Sequence, residues 1–233
     1  MSEPPRKATH PMLTCVVTPY FQTDPAWLLQ AHDSVRSQAT PTHHIMVCDG
    51  SPPADVPGFQ GTHIVLPRNY RDYGNTPRLF GCYQALSLGA DAIAFLDGDN
   101  WFYPGHLTGL LGFAQANNLD ACASARMLHR LDGTPMIRCT DVDGVRHIDT
   151  NCLLVMKPAF SHMLAWVLAR QENAGVADQY VWQHLRSSGA RLGFLDQVTV
   201  AYRTRHAAHY ERAGEAPPPD AIRRSDQHGD RYH

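Results

Sequence analysis

Lysine is nearly absent from this chain of 233 residues: Lys7 and Lys157 stand against 18 arginines. A GC-rich bacterial genome favours arginine codons. Arginine also suits phosphate recognition, because its guanidinium fork matches phosphate oxygens; composition does not separate the two. A formal net charge of −2 supplies no basic field, which excludes nonspecific nucleic-acid binding. Long apolar runs are missing as well. Ile93–Leu96 is typical, far short of the roughly 20 residues that a membrane helix needs, so no membrane span is expected. No apolar stretch occurs in Met1–Pro11, so no signal peptide is visible. Six cysteines, at 15, 48, 82, 122, 139 and 152, include no C-x-x-C pair. That excludes a zinc ribbon or a thioredoxin-type centre. Buried free thiols in a reducing compartment, the cytoplasm, are the expectation. There is no internal repeat.

Apolar residues make up 43% of the chain, enough for a real core. The first half alternates short apolar runs with helical periodicity. Met12–Tyr20, His44–Cys48, Thr62–Leu66 and Ala92–Leu96 read as strands. Pro25–Gln38 and Thr76–Leu88 read as helices. Nearly continuous apolar strands alternating with helices indicate a parallel sheet covered on both faces. The second half is less regular. Ala121–Arg126 and Asp149–Met156 read as strands, Ala159–Ala169 and Asp178–Leu185 as helices, and Arg191–Tyr202 as a final strand pair. The fold class is therefore α/β, with a mostly parallel central sheet and a mixed second half. Residues 1–11 form a flexible arm. Residues 12–205 form one domain, with a first half at 12–110 and a second at 111–205. Residues 206–233 form a lid or tail.

Ligands in such sheets sit beyond the carboxyl ends of the strands. Thr18-Pro19-Tyr20, Asp49-Gly50-Ser51 and Asp97-Gly98-Asp99-Asn100 each close an apolar run. All three clusters should line one sheet edge. Carboxylates at i and i+2 on extended backbone share a side. Clustered carboxylates are costly without a cation, and oxygen-only ligation favours Mg²⁺ or Mn²⁺. The plain alternative is an Asp-Gly turn between strand and helix.

Five segments together resemble the nucleotide-sugar glycosyltransferases of family 2, which have the GT-A fold. They are Thr14–Phe21, Ile45–Ser51, Arg71–Leu86, Ala94–Asn100 and Ala177–Trp182, within residues 12–205. The resemblance implies the following roles. Thr18, Pro19 and Tyr20 match the loop after the first strand that cradles the base. Asp49 matches the acid that meets uracil or ribose, with Cys48 where a second acid often stands. Arg78, with Arg71 as a second candidate, falls where a basic residue meets base or phosphate. Asp97 and Asp99 match the D-x-D pair; Asp99 is the metal ligand, and Asp97 contacts ribose or metal. The late His206 and His209 are further candidates for the metal, and Arg203 and Arg205 could join them in a lid. Asp178 matches the general base, with Ala177 where a second acid is usual; helix capping is its structural alternative.

The implied activity is a metal-dependent, inverting transfer of one sugar from a nucleoside diphosphate donor, UDP-sugar first. The acceptor is a carbohydrate or small-molecule hydroxyl. The polymerising Gln-x-x-Arg-Trp motif is absent, which points to single addition. A catalytically degenerate protein that binds nucleotide or sugar without turnover is the alternative. Oligomeric state is left open. A haloacid-dehalogenase phosphatase would carry D-x-D after its first strand, and here the pair follows the fourth. A nicotinamide dehydrogenase would need G-x-G-x-x-G, which does not occur.

Overall fold

The structure is a computed structural model and describes residues 12–53, 58–168 and 171–223. The expected arm at 1–11 and the end of the tail, 224–233, lie outside the described residues. The strands are β1 (Thr14–Tyr20), β2 (Thr42–Cys48), β3 (Thr62–Val65), β4 (Ala92–Phe95), β5 (Trp101–Phe102), β6 (Ala121–His129), β7 (Pro135–Arg138), β8 (Leu153–Met156) and β9 (Leu192–Arg203). The α-helices are α1 (Pro25–Arg36), α2 (Asn75–Ser87), α3 (His106–Ala116), α4 (Ala177–Ser187) and α5 (Ala207–Arg212).

One mixed sheet of nine strands runs β3-β2-β1-β4-β8-β6-β9-β5, with β7 paired to β6. Strands β1 to β4 are mutually parallel. β8 is antiparallel to both β4 and β6. β9 returns parallel to β6 and antiparallel to β5. These directions fix one edge of the sheet. Along it stand the carboxyl ends of β1, β2, β3, β4, β6 and β9, and the amino ends of β8 and β5. The three polar clusters that close β1, β2 and β4 therefore do share an edge.

Burial explains the parallel part. β1 and β4 are buried at every position, as helix-covered strands must be. α1 begins cleanly, with Asp24 accepting from Ala26 N–H at 2.8 Å and Pro25 at the first helical position. It buries Leu28, Ala31 and Val35. α2 comes so close to β1 that a Cβ on Gly81 would stand 2.2 Å from Val17 Cγ1. All six cysteines are free and buried, as expected.

The second half departs from expectation in several places. Lys157–Val167 is a 3-10 helix where an α-helix was expected over 159–169. Its buried Phe160, Met163 and Trp166 recur every three residues, the period of a 3-10 turn. The expected strand at Asp149–Met156 starts later: Thr150–Cys152 is a 3-10 turn, and β8 follows it. The expected strand pair at 191–202 is one strand, β9. Its pairing with β6 shifts register between Leu195 and Val200, around exposed Asp196 and Gln197. A bulge, not a turn, absorbs those polar residues. β5, β7, α3 and α5 carry no expectation from the sequence.

Gly81→Ala should destabilise the fold by about 1–3 kcal/mol, because the added methyl overlaps Val17. Urea denaturation measures this, and adding Val17→Ala should recover part of the loss.

Candidate functional site

The site is built where β4, β8 and β6 end side by side. Leaving β4, the chain does not stay extended. Asp97–Asn100 is a turn, closed by Asn100 N–H donating to Asp97 C=O at 3.1 Å. This corrects the expectation of an extended D-x-D pair. A Cβ on Gly98 would stand 2.7 Å from Leu28 Cδ2, so the glycine seats the turn against α1 and not against a ligand.

The two carboxylates of the turn have separate surroundings. Arg78 Nη2 donates to Asp97 Oδ1 at 2.5 Å, and Asn151 Nδ2 to Asp97 Oδ2 at 3.0 Å. The Asp97 N–H donates to Asn151 Oδ1 at 2.6 Å. Asn151 also donates to Asp149 Oδ1 at 2.8 Å, and Asp149 in turn pairs with Arg126. Arg126 lies over the Tyr202 ring, 4.0 Å from its centroid. Thus Arg78, Asp97, Asn151, Asp149 and Arg126 form one continuous polar chain across three strand ends. Each member bonds to the next, which offsets the cost of burying charge, although the Nε atoms of Arg78 and Arg126 are left without an acceptor.

Asp99 is different. Among the described residues, no side chain donates a hydrogen bond to its carboxyl. Burial, and next the neighbouring Asp97 carboxylate, raise it from 3.8 to about 7. Arg203 stands close but spends its donors elsewhere: Nη1 on the Asp99 carbonyl at 2.6 Å, Nη2 on Gln30 and Nε on Leu131. The Arg203 guanidinium lies between the rings of Trp27 and Trp101, 4.8 and 4.7 Å from their centroids. It holds the turn in place, and its charge offsets only part of the effect of burial on Asp99. A carboxyl in that condition, beside a second carboxylate, fits a hard divalent cation.

The other expected residues fall into three groups. Thr18, Pro19 and Tyr20 are the buried last residues of β1 and not a loop after it. Thr18 Oγ1 meets His44 Nε2 at 2.8 Å, and His44 meets His32. Tyr20 Oη meets His63 at 2.6 Å. Burial pushes His44 down to about 3, so its ring is uncharged at neutral pH. Asp49 sits at the expected edge, and its carboxyl accepts from Tyr70 N–H at 3.0 Å. Burial raises its pKa above the usual carboxylate range. Arg71 is in the same loop, exposed, with φ +56°.

Asp178 lies in the first turn of α4 but does not cap it. The N-cap position is Val176, and Asp178 Oδ1 accepts from the Gln179 N–H at 2.8 Å, a local role in the first turn. Asp178 Oδ2 faces His147 Nε2 at 3.8 Å, and this raises the His147 pKa. His147 Nδ1 meets the Asp141 carbonyl at 3.1 Å. Near α5, His209 is buried, with Nδ1 2.7 Å from Thr204 Oγ1, and burial pushes it down to about 3. The rings of His206 and His209 are 5.4 Å apart. Among the described residues, the His/Cys/Asp/Glu grouping with metal-ligand spacing is Cys139, Asp141 and His209, which leaves out Asp97, Asp99 and His206. The sequence reading missed Asn151, Asp149, Arg126 and His147. Their segments carry no motif.

The sequence model for the family described as "Glycosyl transferase family 2" matches residues 15–172. The chain belongs to that family. No curated protein matches it. Similar solved structures include TarS of S. aureus, at 13% identity and TM-score 0.61, covering 86% of this chain and 38% of that one. TarS 1–349 in complex with UDP gives 15% and 0.62, covering 86% and 63%. Its UDP-GlcNAc complex gives 13% and 0.59, covering 83% and 58%. The chain therefore spans under two thirds of each of these neighbours. Likeness at that identity establishes the fold, a GT-A arrangement. No helix among the described residues is long and apolar enough to cross a membrane.

The Asp99 environment makes stability depend on pH. The folded state holds that proton more tightly than the unfolded chain does. Stability is therefore lost as pH rises from 3.8 to about 7 and stays lower above that. Without metal, Asp99→Asn should be more stable than wild type near pH 8 (about one unit above the shifted value) and lose this advantage in acid. Urea denaturation at both ends of the window checks this.

Proposed function

We propose that this chain transfers one sugar from a nucleoside diphosphate donor, a UDP-sugar, to an acceptor hydroxyl, with inversion. The observation that carries the reading is Asp99. It is a poorly neutralised carboxyl at the carboxyl edge of a family 2 sheet, beside an Asp97 already locked by Arg78 and Asn151. TarS 1–349 has been solved with UDP and with UDP-GlcNAc, which favours uracil as the base.

Asp99 would hold Mn²⁺ or Mg²⁺, with Asp97 next to it. When bound, the cation supplies positive charge for the departing diphosphate. The chain's own groups do the rest. Asp49 orients the base side through the Tyr70 loop, to which it is bonded. Arg78 pairs with Asp97 and holds it in place, so the turn presents its carboxylates without rearrangement. Asp178 takes the proton from the acceptor hydroxyl as that oxygen attacks the anomeric carbon. His147 Nε2 stands beside it, 3.8 Å from Asp178 Oδ2.

Two measurements test the reading. UDP with Mn²⁺ should raise the thermal midpoint, and UDP alone much less. No shift with UDP, GDP, CDP or dTDP would refute donor binding. Asp178→Asn should cut transfer by about 10²–10⁴ while the nucleotide shift persists. Loss of that shift would assign Asp178 a structural role. Nucleotide binding without transfer in the wild type would favour the degenerate binder.

A further inference from the structure

We infer that Cys139, Asp141 and one ring nitrogen of His209 form a Zn²⁺ site that clips the loop after β7 to α5. This does not depend on the proposed reaction. One donor atom from each residue lies within 4.8 Å of the others. Zinc bonds of about 2.0–2.3 Å need only a small closure from there. Thiolate, imidazole and carboxylate together suit zinc and not the hard cations expected at Asp99. A water would complete the tetrahedron.

Three neighbouring groups prepare the donors. The Arg126 guanidinium is charge-coupled to Cys139, and its buried Nε–H has no hydrogen-bond acceptor. A thiolate at Cys139 would supply that acceptor, and Asp149 already balances the Arg126 charge. Thr204 Oγ1 meets His209 Nδ1 at 2.7 Å, which fixes the ring and leaves Nε2 for the ion. Arg212 pairs with Asp141 Oδ2 at 2.7 Å, and a carboxylate has a second oxygen to offer. Cys139 and His209 are buried, whereas Asp141 is open to solvent, so the ion has an entry side. On binding, the Cys139 thiol loses its proton to the buffer as the sulfur–zinc bond forms. The ion would hold the segment that leads to His147 and Asp149.

Co²⁺ added to the metal-free full chain provides the test. One equivalent should give a thiolate-to-cobalt charge-transfer band, which Zn²⁺ then bleaches. Cys139→Ser should abolish the band. Asp141→Asn, at the open side, should fold normally and weaken Zn²⁺ binding by about tenfold or more. Asp99→Ala should leave binding unchanged, which separates this site from the D-x-D turn. The inference is overturned by absence of a band in wild type, by a band that survives Cys139→Ser, or by unchanged Zn²⁺ affinity in Asp141→Asn.

Discussion

Negative charge is crowded at one end of the sheet, and the local structure there follows from how that charge is offset. Asp49, Asp97, Asp99 and Asp149 all close or open strands along a single edge. Three buried arginines answer them. Arg78 comes from α2, Arg126 from β6 and Arg203 from β9. Each guanidinium also leans on an aromatic ring: Arg78 on Trp166, Arg126 on Tyr202 and Arg203 between Trp27 and Trp101. Planar, weakly hydrated guanidinium tolerates that setting, whereas a lysine ammonium would lose more hydration and gain no ring contact. The scarcity of lysine is thus consistent with the chemistry of this edge, whatever the codon bias contributes.

The balance is uneven, and the unevenness is where chemistry can enter. Asp97 and Asp149 are paired and bridged by Asn151. Asp99 is not. Among the described residues its positive neighbour is Arg203, which gives its hydrogen bonds to carbonyl oxygens of the turn and the adjoining loop and to the Gln30 side chain. A desolvated carboxyl without a side-chain donor costs stability. Under the proposed function, that cost would be relieved by a bound cation.

The first half of the fold was legible because parallel strands leave a strong local trace. Residues buried on both faces must be apolar, so β1, β2 and β4 stand out as runs, and their polar ends mark the edge; β3, at the sheet's border, is a shorter run with alternating exposure. The second half is antiparallel and mixed, and its signals are weaker. A bulge at Asp196–Gln197 looks like a turn, because polar residues interrupt an apolar run in either case. A 3-10 helix at Lys157–Val167 is hard to tell from an α-helix, since residues three apart share a face in both. Among the expected site residues, the placement of Asp49, Asp97 and Asp99 along one edge, with Arg78 reaching Asp97, followed from their segments. That of Asn151 did not: its role comes from a contact with Asp97, 54 residues away in sequence, and asparagine within a strand-like run carries no signal. Thr18 and Tyr20 end β1 instead of forming a loop, and their hydroxyls meet buried His44 and exposed His63.

The two proposed cation sites would draw on different residues. The D-x-D turn offers oxygen alone, at an edge where an anionic ligand can complete the coordination. The loop after β7 and α5 offer sulfur, nitrogen and oxygen, with Arg126 and Arg212 close by. Those arginines would oppose a weakly held hard cation, whose binding is largely electrostatic. Zinc bound through a thiolate depends more on directional bonding and tolerates a nearby positive charge better. His209 therefore has a more coherent role in the second group than at Asp99. Arg126 belongs to both neighbourhoods. It pairs with Asp149 on the side of the turn and interacts with Cys139 on the other.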